Sequence, residues 1–478
     1  MTRASEARAV TEEGGKVHFM GIGGAGMSAL AEILIDRGHA VSGCDLRESP
    51  ETARLAELGA RIHPGHDPDH LEPGSAVVVS SAIPATNEEV VRARELGLPV
   101  VRRAELLGAL MASARGIAVA GTHGKSTTTT MVGAVTEAGG LDPTVVVGGR
   151  IRGRGGNVRL GSGDWMVAEA DEFDRSFLAL EPEIAVVCNV EADHLDTYAS
   201  FDGVREAFAG FLERVEPGGA AILGTDDPEV RRLAPPRRVE VLTFGFDPAA
   251  DVRAVEVEGH GLETRFTLLR GGEPETRVTL SMPGRHNVQN ALAAAAVGWT
   301  AGVGTDAIAS GLAAVRGVGR RFEVVASGGA VAIVDDYAHH PTEVEATLRG
   351  ARQAWPDRRI VAVFQPHLFS RTRDFADAFG EALLFADVVF VTDVYPAREE
   401  PIEGVSGELV SDAARAAGAA DVTFLPDAED AGAVAHRLEP GDVVVTLGAG
   451  DIHRLARRLA GKVGSPDAAV GAAGKGDR

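Results

Sequence analysis

The sequence predicts an α/β chain of three domains, each built on a mainly parallel sheet, with a small antiparallel appendage on the second. Three observations predict it. Short apolar runs of strand length recur along the chain, and most stop in a polar cluster followed by a helical pattern. Two of these strand–helix junctions are glycine-rich, at 21–26 and at 121–124. The length of 478 residues suits three domains of ~150 residues each. Boundaries are placed at residues 1–113, 114–318 and 319–478.

Charge narrows the partners. A formal net charge of -22 lacks the basic footprint that nucleic acid or an anionic membrane requires. Phosphate binding must then rest on backbone N–H groups, magnesium and single cations. Of 47 basic residues only Lys16, Lys125, Lys462 and Lys475 are lysines, and Lys125 sits in a glycine loop. A compact ammonium suits a crowded phosphate cradle better than a planar guanidinium. The two cysteines, Cys44 and Cys188, make no metal or disulfide pattern and read as inert core thiols. The N-terminus is polar, and no apolar run reaches the ~18 residues of a membrane span, so a cytoplasmic chain is expected.

In the first domain, residues 1–15 read as an unstructured lead-in. A strand at 16–20 runs into Gly21-Ile22-Gly23-Gly24-Ala25-Gly26 and a helix to about Arg37. This is GxGxxG at a strand–helix junction, and Asp45 closes the next strand 19 residues beyond Gly26. The pattern serves any diphosphate near a helix N-terminus, so NAD is one ligand among several. Further strands fall at 75–80 and 99–101. The Ser80-Ser81 turn is either a ligand contact or a plain cap, and the residues leave both open.

The second domain begins with an apolar strand at 117–120, the loop Gly121-Thr122-His123-Gly124-Lys125-Ser126-Thr127, and a helix to Ala138. Glycines let backbone N–H groups surround phosphate oxygens at a helix N-terminus, Lys125 can reach the terminal phosphates, and Ser126 can ligate magnesium. The loop is shorter than the usual GxxxxGK[ST]. A strand at 164–168 ends in Glu169-Ala170-Asp171-Glu172-Phe173-Asp174, from which one carboxylate could face that magnesium. A strand at 184–188 ends in Asn189-Val190-Glu191-Ala192-Asp193-His194-Leu195-Asp196, making His194 a metal-site candidate. Residues 252–280 alternate as an antiparallel appendage does. Gly284 to Asn290 opens an Ala-rich helix, with Asn287 read as its cap and Asn290 as a possible base contact.

The third domain starts near Gly319-Arg320-Arg321-Phe322. Its strands at 331–334, 361–364, 388–392 and 442–447 end in polar clusters, including Asp335-Asp336-Tyr337-Ala338-His339-His340-Pro341 and Gln365-Pro366-His367-Leu368-Phe369-Ser370-Arg371-Thr372-Arg373. The tail after Val463 reads as disordered.

As an ordered set, GTHGKS, EADE, NVEADHLD, GRHNVQN, RRFE and DDYAHHP resemble the Mur ligase family of ATP-dependent amide-bond-forming enzymes, over residues 16 to about 460. GIGGAGMS, SSAIP, EADEFDRSFL and FQPHLFSRTRD resemble the branch that adds L-alanine to UDP-N-acetylmuramate. The resemblance implies Rossmann-like N- and C-terminal domains flanking a central P-loop ATPase domain, and a monomer or homodimer. It implies ATP and Mg2+, with Gly121, Thr122, His123, Gly124, Lys125, Ser126 and Thr127 around the phosphates. Ser126, Glu169 and His194 would hold metal; Asn290, Arg321 and Asp336 would contact ATP. Gly23, Gly24, Ala25, Gly26, Asp45, Ser80, Ser81 and His123 would meet the UDP substrate. His367, Arg371 and Arg373 would face the muramoyl group and the amino acid. Two departures stand out. No lysine lies between Lys125 and Lys462, so the carbamylated lysine of other members is absent, and His367-Leu368-Phe369-Ser370 replaces the relatives' PHRYS. Within the family the alternative is a ligase that attaches a ready-made tripeptide; outside it, a Rossmann dehydrogenase.

Overall fold

A computed structural model describes residues 3–12, 14–152, 156–327, 330–397 and 399–463. It separates into two compact units, Met1–Glu256 with Phe266–Thr279 and Gln289–Arg316, and Val257–Arg265 with Leu280–Val288 and Gly317–Arg478. The tail after Val463 lies outside the described residues.

The expected lead-in carries the helix Arg3–Val10, which packs on the helix Arg103–Met111. Ala7 and Val10, three residues apart and so on one helical face, are buried there. So small an apolar pair in a charged segment leaves little trace in hydropathy.

Five parallel strands follow in the order Arg61–Pro64, Ala40–Asp45, Lys16–Met20, Ser75–Val79 and Val100–Arg102. The order reverses at Lys16–Met20, and a ligand crevice belongs beyond the carboxyl ends of the strands at such a switch. Gly21 and Ser80 follow those ends. The strand Arg61–Pro64, Arg-Ile-His-Pro, escaped the sequence reading because it holds one large apolar residue and ends in proline.

A ten-stranded sheet has the order Glu273–Leu280, Glu263–Arg270, Val252–His260, Glu240–Gly245, Ala220–Gly224, Ile184–Val187, Arg115–Ala120, Trp165–Glu169, Thr144–Val146, Val158–Arg159. Neighbours from Val252–His260 through Thr144–Val146 are parallel, and Val158–Arg159 is antiparallel. The first three strands are joined by two-residue connections, which only antiparallel pairs can close. They are the expected appendage. Arg115–Ala120 is buried from Gly116 on, which explains its unbroken apolar run.

The second unit centres on six strands in the order Glu323–Ala326, Ala332–Asp336, Val443–Leu447, Ile360–Phe364, Val388–Val391, Val422–Phe424, all parallel except the first. Apolar clusters cover both faces of this sheet. Among the described residues no helix is long and apolar enough to cross a membrane.

Candidate active site

The loop after Arg115–Ala120 is forced by its glycines. Gly121 has φ 146°, and a Cβ there would sit 2.9 Å from Cys188 Cβ. Gly124, φ 82°, caps the helix Lys125–Ala138, and a Cβ there would sit 2.7 Å from Asn290 Oδ1. Asn290 backs the loop, accepting from Thr128 Oγ1 at 3.1 Å. Asn189 ties the other side, accepting from His123 N at 2.7 Å and donating to His123 O at 3.1 Å. Thr122 Oγ1 accepts from Glu191 N at 2.8 Å, and His123 Nε2 lies 3.5 Å from Glu191 Oε2. Thr127 is buried in the helix's first turn.

Lys125 Nζ curls into the loop, donating to Gly121 O at 2.7 Å, Thr122 O at 3.2 Å and Glu172 Oε1 at 2.8 Å. Burial opposes its charge, but Glu172, Asp171 and Glu169 outweigh that and hold the ammonium's pKa above the usual lysine range. Burial pushes Glu172 above the usual carboxylate range, although Lys125 pulls it back. Glu169 Oε2 accepts from Ser126 Oγ at 2.9 Å and Gly148 N at 2.7 Å. The sequence points to Glu169, whereas Glu172 and Asn189 lie in the same strand-end clusters without spacing that assigns them a role. Glu172 was legible only as the third acid of EADE, because spacing does not say which carboxylate a lysine will find.

His194 stands in the left-handed region, φ 54°, ahead of the short helix Leu195–Tyr198. Its Nε2 is 3.9 Å from Glu172 Oε1 and 3.6 Å from Asp193 Oδ2, and its ring meets Phe173 edge-on. Lys125, Ser126, Glu169, Glu172 and His194 are thereby linked through contacts at the ends of adjacent parallel strands. A left-handed non-glycine residue is strained backbone, and such strain gathers at functional sites.

At the first sheet Asp45 Oδ2 accepts from Gly23 N at 2.9 Å. That carboxylate holds the glycine loop itself. A Cβ on Gly23 would be crowded, falling 3.0 Å from Asp45 Oδ2 and 3.1 Å from Ser49 Oγ, so those side chains would have to give. Gly24 precedes the helix Ala25–Asp36, Ala25 O accepts from Asn157 Nδ2, and a Cβ on Gly26 would meet Arg103 Cδ at 3.0 Å. Ser80 Oγ accepts from Ala82 N at 3.4 Å, a turn cap, while Ser81 is exposed.

In the second unit Asp336 accepts from Phe322 N at 2.6 Å and Ala338 N at 2.8 Å. Burial pushes its pKa up to about 6 against the pull of Arg321. Arg321 lies 3.3 Å from Glu343 and over the Tyr337 ring. His367 stacks on Tyr395. Arg371 and Arg373 share the helix Phe369–Ala382, but Arg371 is buried while Arg373 is exposed and bonded to Asp374 at 2.7 Å. Two helical residues apart, they face opposite ways. Asn287 lies inside the helix Arg285–Thr300, not at its cap as expected, and donates to Pro283 O at 2.7 Å.

A glycine loop, an ammonium and carboxylates on adjacent parallel strand ends define a nucleoside-triphosphate-using enzyme. The chain belongs to the Mur ligase family. Family models described as the Mur ligase catalytic domain, middle domain and glutamate ligase domain match residues 16–115, 119–298 and 320–450. The UDP-N-acetylmuramate–L-alanine ligase of Methylococcus capsulatus is 47% identical over 456 residues, 94% of this chain and 97% of the relative. That of Burkholderia cenocepacia is 48% identical over 450 residues, 93% and 97%. The fold is similar to the crystal structure of the UDP-N-acetylmuramate–alanine ligase of Thermotoga maritima, with TM-score 0.79, 29% identity, and 94% and 98% of the two chains covered. It is also similar to a murein peptide ligase from Psychrobacter arcticus, with TM-score 0.68, 26% identity, and 95% and 99% covered.

Proposed function

We propose that the chain joins L-alanine to the lactyl carboxylate of UDP-N-acetylmuramate with cleavage of ATP to ADP and phosphate. The contact of Lys125 with its loop and Glu172, beside the Ser126–Glu169 pair, carries the reading. A carboxylate and an amine do not condense in water. Transfer of the γ-phosphoryl group to the carboxylate gives an acyl phosphate; the alanine amine then attacks the acyl carbon and phosphate leaves. Positioning and charge stabilisation carry the rate. Lys125 and the N–H groups of 121–127 cradle the β- and γ-phosphates. Asn290 meets the adenine, Arg321 and Asp336 approach ATP, and His367, Arg371 and Arg373 serve the muramoyl and amino-acid side. Gly23 to Gly26, Asp45, Ser80, Ser81 and His123 take the UDP substrate. These roles divide the chain at residues 1–113, 114–318 and 319–478, in a cytoplasmic monomer or homodimer.

Ser126 Oγ and Glu169 Oε2, hard oxygens 2.9 Å apart, fit Mg2+. His194 would hold a second ion, with hard oxygen from Asp193 beside it. Bound magnesium would neutralise charge on the phosphates. His194→Ala should cost about 10-fold or more in kcat, most at low magnesium; an unchanged magnesium dependence returns His194 to a structural role.

The deciding experiment counts phosphate released from ATP and UDP-N-acetylmuramate with L-alanine or with tripeptide. Release driven by alanine alone supports the reading, and release driven by tripeptide alone favours the tripeptide ligase. ATP-independent binding of NAD would favour the dehydrogenase.

A further inference from the structure

Under the first sheet lies a cluster that the ligase chemistry does not use. His18 comes from the strand Lys16–Met20, Cys44 from Ala40–Asp45, His70 from the turn Pro68–His70, and Glu89 from the first turn of the helix Glu88–Glu95. One imidazole nitrogen from each histidine, the sulfur and a carboxylate oxygen all lie within 4.8 Å of one another. His18, Cys44 and Glu89 are fully buried. His18 Nε2 stands 2.9 Å and His70 Nδ1 3.6 Å from Glu89 Oε1, so one buried carboxylate faces both imidazoles. Glu89 Oε2 lies 3.2 Å from both Cys44 Sγ and His66 Nδ1.

Two imidazoles, a thiol and a carboxylate thus converge from four separate elements on one buried point, the donor set and spacing that a small cation could share. We propose that His18, Cys44, His70 and Glu89 form a four-coordinate site for a transition-metal ion of the zinc class. Two imidazoles, a thiolate and a carboxylate suit zinc or cobalt and would reject magnesium. His18 Nδ1 lies 2.9 Å from Ser42 Oγ, an outer contact that turns Nε2 into the cluster. A thiol binds such an ion as its thiolate, so binding would release a proton to solvent. The site is structural. Cys44 O accepts from Gly21 N at 2.9 Å and Ile22 N at 3.1 Å, and Asp45 next to it accepts from Gly23. Metal at Cys44 would thus stiffen the glycine loop 21–24. The inference is independent of the ligase reading.

The test is cobalt(II) titration of the full chain after chelator dialysis under reductant. One cobalt per chain should give thiolate-to-cobalt charge-transfer absorption, and zinc(II) should displace it. The oxygen and imidazole donors proposed at the ATP site cannot produce that band. Because the chain has two cysteines, assignment is direct: Cys44→Ser should lose the band and Cys188→Ser keep it. No band in the unmodified chain, or one that follows Cys188, overturns the proposal. Should Cys44→Ser not fold, His70→Ala is read instead: it should weaken cobalt binding about 10-fold or more, and unchanged affinity overturns the site.

Discussion

Lys125→Ala is expected to lower alanine-dependent phosphate release by about 10³-fold or more, since on the proposed reading it deletes the cation that would meet charge developing on the transferring phosphoryl group. It should also leave a pH signature in stability. Glu172 is only 2% exposed, and Lys125 is what pulls its carboxyl back from the rise that burial imposes. Without the ammonium, the folded-state pKa of Glu172 rises further. A carboxyl raised on folding binds its proton more tightly in the native state, so stability is greatest below the unfolded carboxylate value and is lost as pH rises through the folded one. The unmodified chain's loss should therefore level off above about pH 7, where Glu172 titrates in the folded state, while the variant's melting temperature keeps falling above that pH. Parallel profiles for both proteins would show that Lys125 does not hold Glu172. Activity is compared where circular dichroism reports a folded variant, which separates lost chemistry from lost structure.

The residues that could be read from sequence are those whose backbone surroundings repeat a rule. Strands 115–120, 165–169 and 184–187 are buried runs that end in polar clusters, so period and burial expose them at once. Arg61–Pro64 and Val158–Arg159 were not legible, being short and without a sustained apolar pattern. Side-chain partners were harder. Nothing in EADE distinguishes the carboxylate that bonds Ser126 from the one that meets Lys125; three-dimensional register assigns Glu169 to the first and Glu172 to the second. Asn287 looked like a cap because asparagine favours that place, but the helix already begins at Arg285. Cys44 reads as a core thiol and is buried, but its polar neighbours His66 and Glu89 lie 22 and 45 residues later, beyond any local motif.

Glu169→Ala tests the other half of the cradle, and its expected loss is about 10²–10³-fold in kcat. The carboxylate has two positions to hold. It accepts from Ser126 Oγ, fixing the hydroxyl at the head of the helix, and from Gly148 N, fixing a separate turn. A Cβ on Gly148 would sit 2.9 Å from Glu169 Oε2, so the turn is built around this oxygen. Alanine removes both contacts, and Glu169→Asp keeps the charge while shortening the reach. If Glu169 serves magnesium, both variants should need more magnesium for half-maximal phosphate release, with aspartate intermediate. If it only braces the turn at Gly148, the thermal stability will fall while the magnesium midpoint stays put. A midpoint that moves while the fold holds assigns the carboxylate to the ion, because an oxygen that serves only a backbone N–H cannot change how much metal the reaction needs.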